Sequence, residues 1–242
     1  MFDMKDRKAL VTGAAGGIGQ AIVRALQTEG VIVTGTDRQD CTADYSISGD
    51  LMSGAFCDSL PQLAYDKMGG LDILVNNAGI ITRGDITQAS DQDLERSMAV
   101  NVEAPFRLCR AAIPMMAENG GGAIVNTSSC WGIHPGPNHP VYVMSKAAVA
   151  SLTQCLGLDH AHQNIRVNAV CPNEVNTAML RTGFETRGLD PDKAIGELNA
   201  SVPLGRIAEP EDIADVVVFL ASDKARYMCG ALLEINGGKS VQ

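Results

Sequence analysis

Two side chains in this sequence are suited to moving a proton: Tyr142 and Lys146, four residues apart in the stretch from Tyr142 to Leu152, whose composition favours helix. That spacing puts both on one helical face. A tyrosine, with a reference pKa near 10, is a poor base at neutral pH, but a neighbouring ammonium favours the phenolate and makes general acid/base chemistry possible. Tyr-x-x-x-Lys is also a common surface spacing, so the pair needs company. Ser129 ends the run Val125 to Ser129, thirteen residues before Tyr142. Its hydroxyl either serves the same reaction or caps backbone at a strand end.

A second constellation could hold a phosphate. The first apolar run ends in Thr12, Gly13, Ala14, Ala15, Gly16, Gly17, Ile18 and Gly19, and a helical pattern follows from Gln20 to Leu26. Glycines allow close backbone approach, and the helix start offers free N–H groups and a positive dipole end to a pyrophosphate. Gly13, Ala15, Gly17, Ile18 and Gly19 are the candidate cradle, although a tight turn explains glycines equally well and the Gly-x-Gly-x-x-Gly spacing is absent. Asp37 follows the second apolar run, about 20 residues on, where a carboxylate accepts from both ribose hydroxyls and repels a 2′-phosphate. Ala14 and Ala15 offer no countercharge, so NAD is favoured over NADP. Arg38 is the dissenting neighbour, able to stack on adenine or meet a phosphate.

The elements that must position these groups are short apolar runs alternating with helical patterns: Ala9 to Val11, Val31 to Val33, Leu71 to Val75, Ala123 to Val125, Ile165 to Val170 and Leu232 to Ile235, with a weaker strand expected at Tyr45 to Ser48. That rhythm predicts an α/β, Rossmann-like, doubly wound parallel sheet of about seven strands, helices on both faces, in a single domain spanning 1–242. Ligands then bind at the carboxyl ends of the strands. Residues 173–203 show patchy periodicity and are expected to form a long lid over a ligand.

These motifs together resemble the single-domain branch of the short-chain dehydrogenase/reductase family, nearly end to end. Thr12, Gly13, Gly17 and Gly19 fit its Thr-Gly-x-x-x-Gly-x-Gly motif, Asn76, Asn77, Ala78 and Gly79 its Asn-Asn-Ala-Gly, Asn101 its helix asparagine, and Ser129, Tyr142 and Lys146 its serine strand and Tyr-x-x-x-Lys pair. The resemblance implies that Tyr142 exchanges a proton with the substrate oxygen, Ser129 hydrogen-bonds that oxygen, Lys146 holds the nicotinamide ribose and lowers the tyrosine pKa, and Asn101 anchors a relay water. It also implies that Asp50 and Leu51 face the adenine, that Asn77, Ala78 and Gly79 pass beneath the adenosine ribose, and that Pro172, Val175 and Thr177 meet the nicotinamide carboxamide. One departure is Asn173 followed by Glu174, where the family usually has glycine after the proline; asparagine tolerates positive φ, which would keep such a turn intact.

The expected substrate face comprises 80–84, 131–140 and the chain from Glu174 onward. Trp131, His134, Asn138, His139 and Glu174 offer hydrogen-bonding groups, and Arg83, with Arg181 and Arg187, could meet a carboxylate. A polyol, sugar or keto-deoxy sugar acid is expected over a steroid or acyl chain. The rival activities are reduction of a 3-oxoacyl thioester, which Asp37 disfavours, and a non-catalytic dinucleotide-sensing module, which retention of all four catalytic-type residues disfavours.

A net charge of −9 argues against a nucleic-acid partner, and apolar runs of about four to seven residues fall short of the roughly 20 needed to cross a bilayer. No metal site is signalled: the seven cysteines form no Cys-x-x-Cys pair and read as reduced thiols in the core, with Cys130, beside the proposed site, as the possible exception. The expected location is cytoplasmic. The resemblance further implies a homotetramer built on the helices near 94–116 and 142–160; in such a tetramer the tail Ser240 to Gln242 is hypothesised to reach a neighbour's pocket.

Overall fold

Alternation along the strands decides the layering. Leu10, Leu74 and Ile124 point to one face of the sheet and join one buried cluster, while Val11, Val75 and Val125, one residue further along each strand, join the other. Each face therefore needs its own cover of helices. The computed structural model describes residues 2–239; Met1 and the tail from Ser240 to Gln242, with the role expected for it, lie outside the described residues.

Seven parallel strands form the sheet: β1 (Lys8–Thr12), β2 (Ile32–Asp37), β3 (Tyr45–Ser48), β4 (Ile73–Asn76), β5 (Gly122–Thr127), β6 (Ile165–Pro172) and β7 (Leu232–Ile235), in the order β3-β2-β1-β4-β5-β6-β7. All expected strands are present. The weakest, β3, is mostly exposed, and it pairs only with β2, in the register Asp37↔Ser48. Order reverses between β1 and β4, so their carboxyl ends open a crevice at the point where Thr12 and Asn76 stop.

On one face lie α1 (Gly17–Thr28) and α8 (Pro210–Ala221), packed through Ile22, Leu26, Ile213 and Val217. On the other lie α2 (Gly54–Met68), α4 (Ala104–Glu118) and α5 (Pro140–His160), the first two joined through Leu60, Ala64, Leu108 and Met116. Between α3 (Asp91–Met98) and α4 the backbone makes one π turn, Ala99–Glu103. Such a turn marks an inserted residue that re-aims its neighbours. Here it drives the Asn101 side chain inward, leaving it 1% exposed.

The segment expected as a lid is more ordered than its composition suggests. It holds two helices, α6 (Ala178–Glu185) and α7 (Pro191–Ser201), capped by Thr177 and by Asp190, and closes its own small core of Phe184, Ile195, Val202 and Ile207. By length and hydropathy α5 would suffice to cross a bilayer. It packs instead along β6, burying Val141, Ser145, Lys146, Val149 and Thr153.

Candidate active site

At the crevice, the end of β1 is tied to the end of β4. Thr12 Oγ1 accepts from the N–H groups of Asn77 and Ala78, both at 3.1 Å, and Asn77 Nδ2 donates to the Thr12 carbonyl at 3.0 Å. Gly13 stands with φ 65, and a Cβ there would lie 2.9 Å from Ala78 Cα, so glycine is required for this approach. Helix α1 then begins at Gly16 with no side-chain cap and no acid in its first turn. Among the described residues, no acceptor meets the N–H groups of Gly17, Ile18 or Gly19.

These free donors at a positive helix end fit a dinucleotide pyrophosphate. The N–H of Ala15 does not join them, because Asp37 Oδ2 accepts it at 3.2 Å, while Asp37 Oδ1 accepts from Arg38 N at 2.7 Å. Asp37 is thereby fixed at the last position of β2, with the Arg38 side chain exposed beside it. Asp50, exposed after β3, accepts from Met52 N at 3.0 Å, and Leu51 packs back onto the core.

Lys146, on the second turn of α5, is 4% exposed and donates through Nζ to the Thr127 carbonyl at 2.8 Å. Its Nζ lies 5.9 Å from the centroid of the Tyr142 ring. Asn101 Nδ2 donates to Ile80 O and to Ser145 Oγ, both at 2.9 Å, and its Oδ1 accepts from Ile80 N at 2.8 Å. Ser145 Oγ in turn donates to the Tyr142 carbonyl at 2.7 Å. A Cβ on Gly79 would crowd Lys146 Nζ to 3.1 Å and Asn101 Oδ1 to 3.4 Å, so the Asn77 to Gly79 turn is what lets these groups converge. Ser129 Oγ accepts from Trp131 N at 3.2 Å and donates to Pro172 O at 3.4 Å.

Burial sets the protonation states. It pushes the Tyr142 phenol above its usual range, opposed by the Ser129 hydroxyl and the Arg83 charge, and it pushes the Lys146 ammonium down to about 8. This is opposite to the expected lowering of the phenol: with Lys146 Nζ 5.9 Å from the ring centroid, burial is the largest influence on Tyr142. Burial also raises the Cys130 thiol to about 12, and Cys130 packs fully buried in the core.

Ser129, Tyr142 and Lys146 line one cleft of about 230 Å³ with Ile18, Asn77 and Gly79, Pro172, Val175 and Thr177, and the substrate candidates Arg83, Trp131 and Glu174. The other candidates fall elsewhere. His134 leans away to Glu234, 3.2 Å off. Asn138 is a turn residue with φ 61 whose carbonyl accepts from Gly84 N. Arg181 is paired with Asp192 at 2.9 Å. Asn173 keeps an ordinary negative φ, so no glycine-like turn is needed there.

Sequence reasoning missed Thr127, whose carbonyl holds Lys146, and Ser145, which links Asn101 to the tyrosine. It also missed Lys239, which pairs with Glu174 at 2.8 Å. A serine three residues after the tyrosine was a readable clue for the second, whereas the other two depend on tertiary contact.

Residues 13–240 match a protein family described as enoyl-(acyl carrier protein) reductase. The chain is a short-chain dehydrogenase/reductase. This dehydrogenase/reductase is 36% identical to a 3alpha-hydroxysteroid dehydrogenase of Mediterraneibacter gnavus and 36% identical to a 3-oxoacyl-acyl-carrier-protein reductase of Rickettsia felis, in both cases over 98% of each chain. The ligand-free structure of Thermoplasma acidophilum aldohexose dehydrogenase superposes with a TM-score of 0.94 at 34% identity, covering 100% of this short-chain dehydrogenase/reductase and 96% of that chain.

Proposed function

We propose that this oxidoreductase transfers a hydride between NAD and a secondary alcohol or ketone of a small, hydroxyl-rich molecule, a polyol, sugar or sugar acid, with Tyr142 as the general acid/base. The observation that carries this reading is the convergence of Ser129, Tyr142 and Lys146 on one cleft that also opens onto the glycine turn. The dinucleotide, when bound, supplies the hydride acceptor or donor. The protein's task is position and proton management.

Ser129 and Tyr142 would hold the substrate oxygen from two sides. Because burial raises its pKa, Tyr142 carries its proton at neutral pH and is ready to give it to a developing alkoxide as a ketone is reduced. Lys146, anchored on Thr127, would grip the nicotinamide ribose, and Asn101 would seat the water through which the proton leaves. Thr177, which packs its methyl on Gly17, would hold the carboxamide end against the phosphate turn, together with Pro172 and Val175. Gly17, Ile18 and Gly19 would bind the pyrophosphate, Asp37 the adenosine ribose, and Asp50 and Leu51 the adenine.

Asp37 supports NAD over NADP, since a 2′-phosphate would meet a fixed carboxylate. Initial rates at 340 nm with both cofactors, over a panel of polyols, aldonates, hydroxy acids and keto acids, test both parts; a kcat/KM favouring NADP would reverse the cofactor assignment. Tyr142→Phe is expected to lower kcat by about 1000-fold or more, on the scale of general acid/base catalysis, with unchanged NAD affinity by calorimetry. Turnover within tenfold of the parent would remove Tyr142 from the role.

The similarity to a 3-oxoacyl-acyl-carrier-protein reductase keeps thioester reduction as the second reading, which predicts a preference for NADPH. The proposed assembly is a homotetramer through α4 and α5.

A further inference from the structure

Among the described residues, three charged side chains line the cleft: Arg83, Lys146 and Glu174. Lys146 is committed to Thr127 and to the cofactor side. The charge of Glu174 is matched by Lys239, 2.8 Å away, with both side chains mostly buried. Arg83 is different. It is half-buried, and among the described residues nothing accepts a hydrogen bond from its guanidinium.

Its position is nevertheless built. The guanidinium packs against Gly183 of α6, where a Cβ would stand 2.7 Å from Arg83 Cζ, so the helix leaves out a side chain to admit the charge. A second cation faces the same glycine: Arg187 donates from Nε to the Gly183 carbonyl at 2.8 Å and lies 4.9 Å over the Phe184 ring. Desolvation and this like charge both push the Arg83 pKa down, while Tyr142, which lines the same cleft, pulls it up. A half-desolvated guanidinium beside another cation is costly unless an anion is brought to it.

We infer that Arg83, seated on Gly183 beside Arg187, is the anchor for a substrate carboxylate, so that the preferred substrate is a hydroxy or keto acid of the sugar type and not a neutral polyol or aldose. This rests on the hydride-transfer reading above and narrows its substrate class. Arg83 presents five donors in a planar fork suited to a carboxylate, which a surface lysine would not.

Matched pairs with one carbon skeleton test it: gluconate with sorbitol, galactonate with galactitol, xylonate with xylitol. With NAD, the acid is expected to exceed its alditol by about 10- to 100-fold in kcat/KM, the scale of a charge-assisted hydrogen bond. Arg83→Gln should erase that preference through KM. Gly183→Ala should do the same while retaining the arginine, because its methyl displaces only the end of a flexible side chain and alanine favours helix, so Tm holds or rises.

An alditol preferred by the parent, or an acid preference that survives both variants, would overturn the inference. So would equal losses for acid and alditol with a shifted pH profile, since Arg83 would then act only on Tyr142. The chain's single tryptophan, Trp131, lines the cleft and reports occupancy by fluorescence without turnover. Quenching by the three acids with NAD present, lost in Arg83→Gln, would support the anchor even if no NADH forms, and in that case hydride transfer alone would fail. Absence of any quenching and any turnover by all three acids would overturn the anchor.

Discussion

Lys146 is an ammonium kept in an expensive place. Its pKa falls from 10.5 to about 8 through burial, and among the described residues its one hydrogen-bond acceptor is the Thr127 carbonyl. Between those two values the unfolded chain holds a proton that the folded chain has released, so stability rises with pH across that window; below about 8 the full desolvation penalty is present. Lys146→Met should therefore raise stability at pH 7 by about 1–3 kcal/mol, net of the lost hydrogen bond, while abolishing turnover. Differential scanning fluorimetry decides it: an unchanged or lower Tm would mean that the Thr127 hydrogen bond and side-chain packing offset the desolvation. The same cause predicts that the kcat/KM for ketone reduction falls as pH rises through about 8, as the ammonium is lost. In Lys146→Arg that limb should move upward, and a limb that stays put would assign it to another group.

At the scale of elements, the π turn between α3 and α4 gives Asn101 its reach. A regular helix would rotate the residue away from the chain after β4, whereas here its amide satisfies both backbone groups of Ile80 and the Ser145 hydroxyl. Asn101→Ala strands these groups, at a cost of about 1–3 kcal/mol, and should lower Tm by roughly 2–12 °C along with turnover. Tyr142→Phe, which strands no such network, should leave Tm within about 1–2 °C of the parent. Lost turnover in Asn101→Ala with an unchanged Tm would assign the asparagine to the proton path alone. Helices α6 and α7 show where reading from sequence fell short. The Thr177 cap and the Asp190 to Pro191 start were legible signals, but the apolar residues that close this unit, Phe184, Ile195, Val202 and Ile207, are spread over 24 residues and only the fold assembles them. Strand β3 was readable only weakly for a related reason: an exposed edge strand needs no apolar alternation. The glycine turn, Asn101, Ser129, Tyr142 and Lys146 were legible because backbone approach and proton chemistry restrict residue type. His134 and Asn138 lie outside the cleft, one paired with Glu234 and the other in a turn, because polar side chains in a loop serve turns and pairs as readily as a ligand.

For the whole molecule, the order of the sheet brings the candidate site residues to the crevice where strand order reverses, and the long helices α4 and α5 are left with apolar side chains on their outer surfaces. Phe106 is 48% exposed, Met144 49% and Leu158 81%, while the inner faces of the same helices are sealed against the sheet. Scattered exposed apolar residues are common, but a large one on each of two long neighbouring helices suits a helix-to-helix interface between copies. The proposed tetramer predicts a solution mass about four times that of the chain by light scattering, independent of loading concentration in the micromolar range. Introducing charge at the centre of such an interface costs several kcal/mol per copy, so the double variant Phe106→Asp, Leu158→Asp should shift the mass toward the single chain. Neither position lines the cleft that holds Tyr142, and the far-ultraviolet circular dichroism should stay unchanged. A parent that runs at the mass of one chain would refute the assembly, and a variant that stays tetrameric would place the interface on other surfaces.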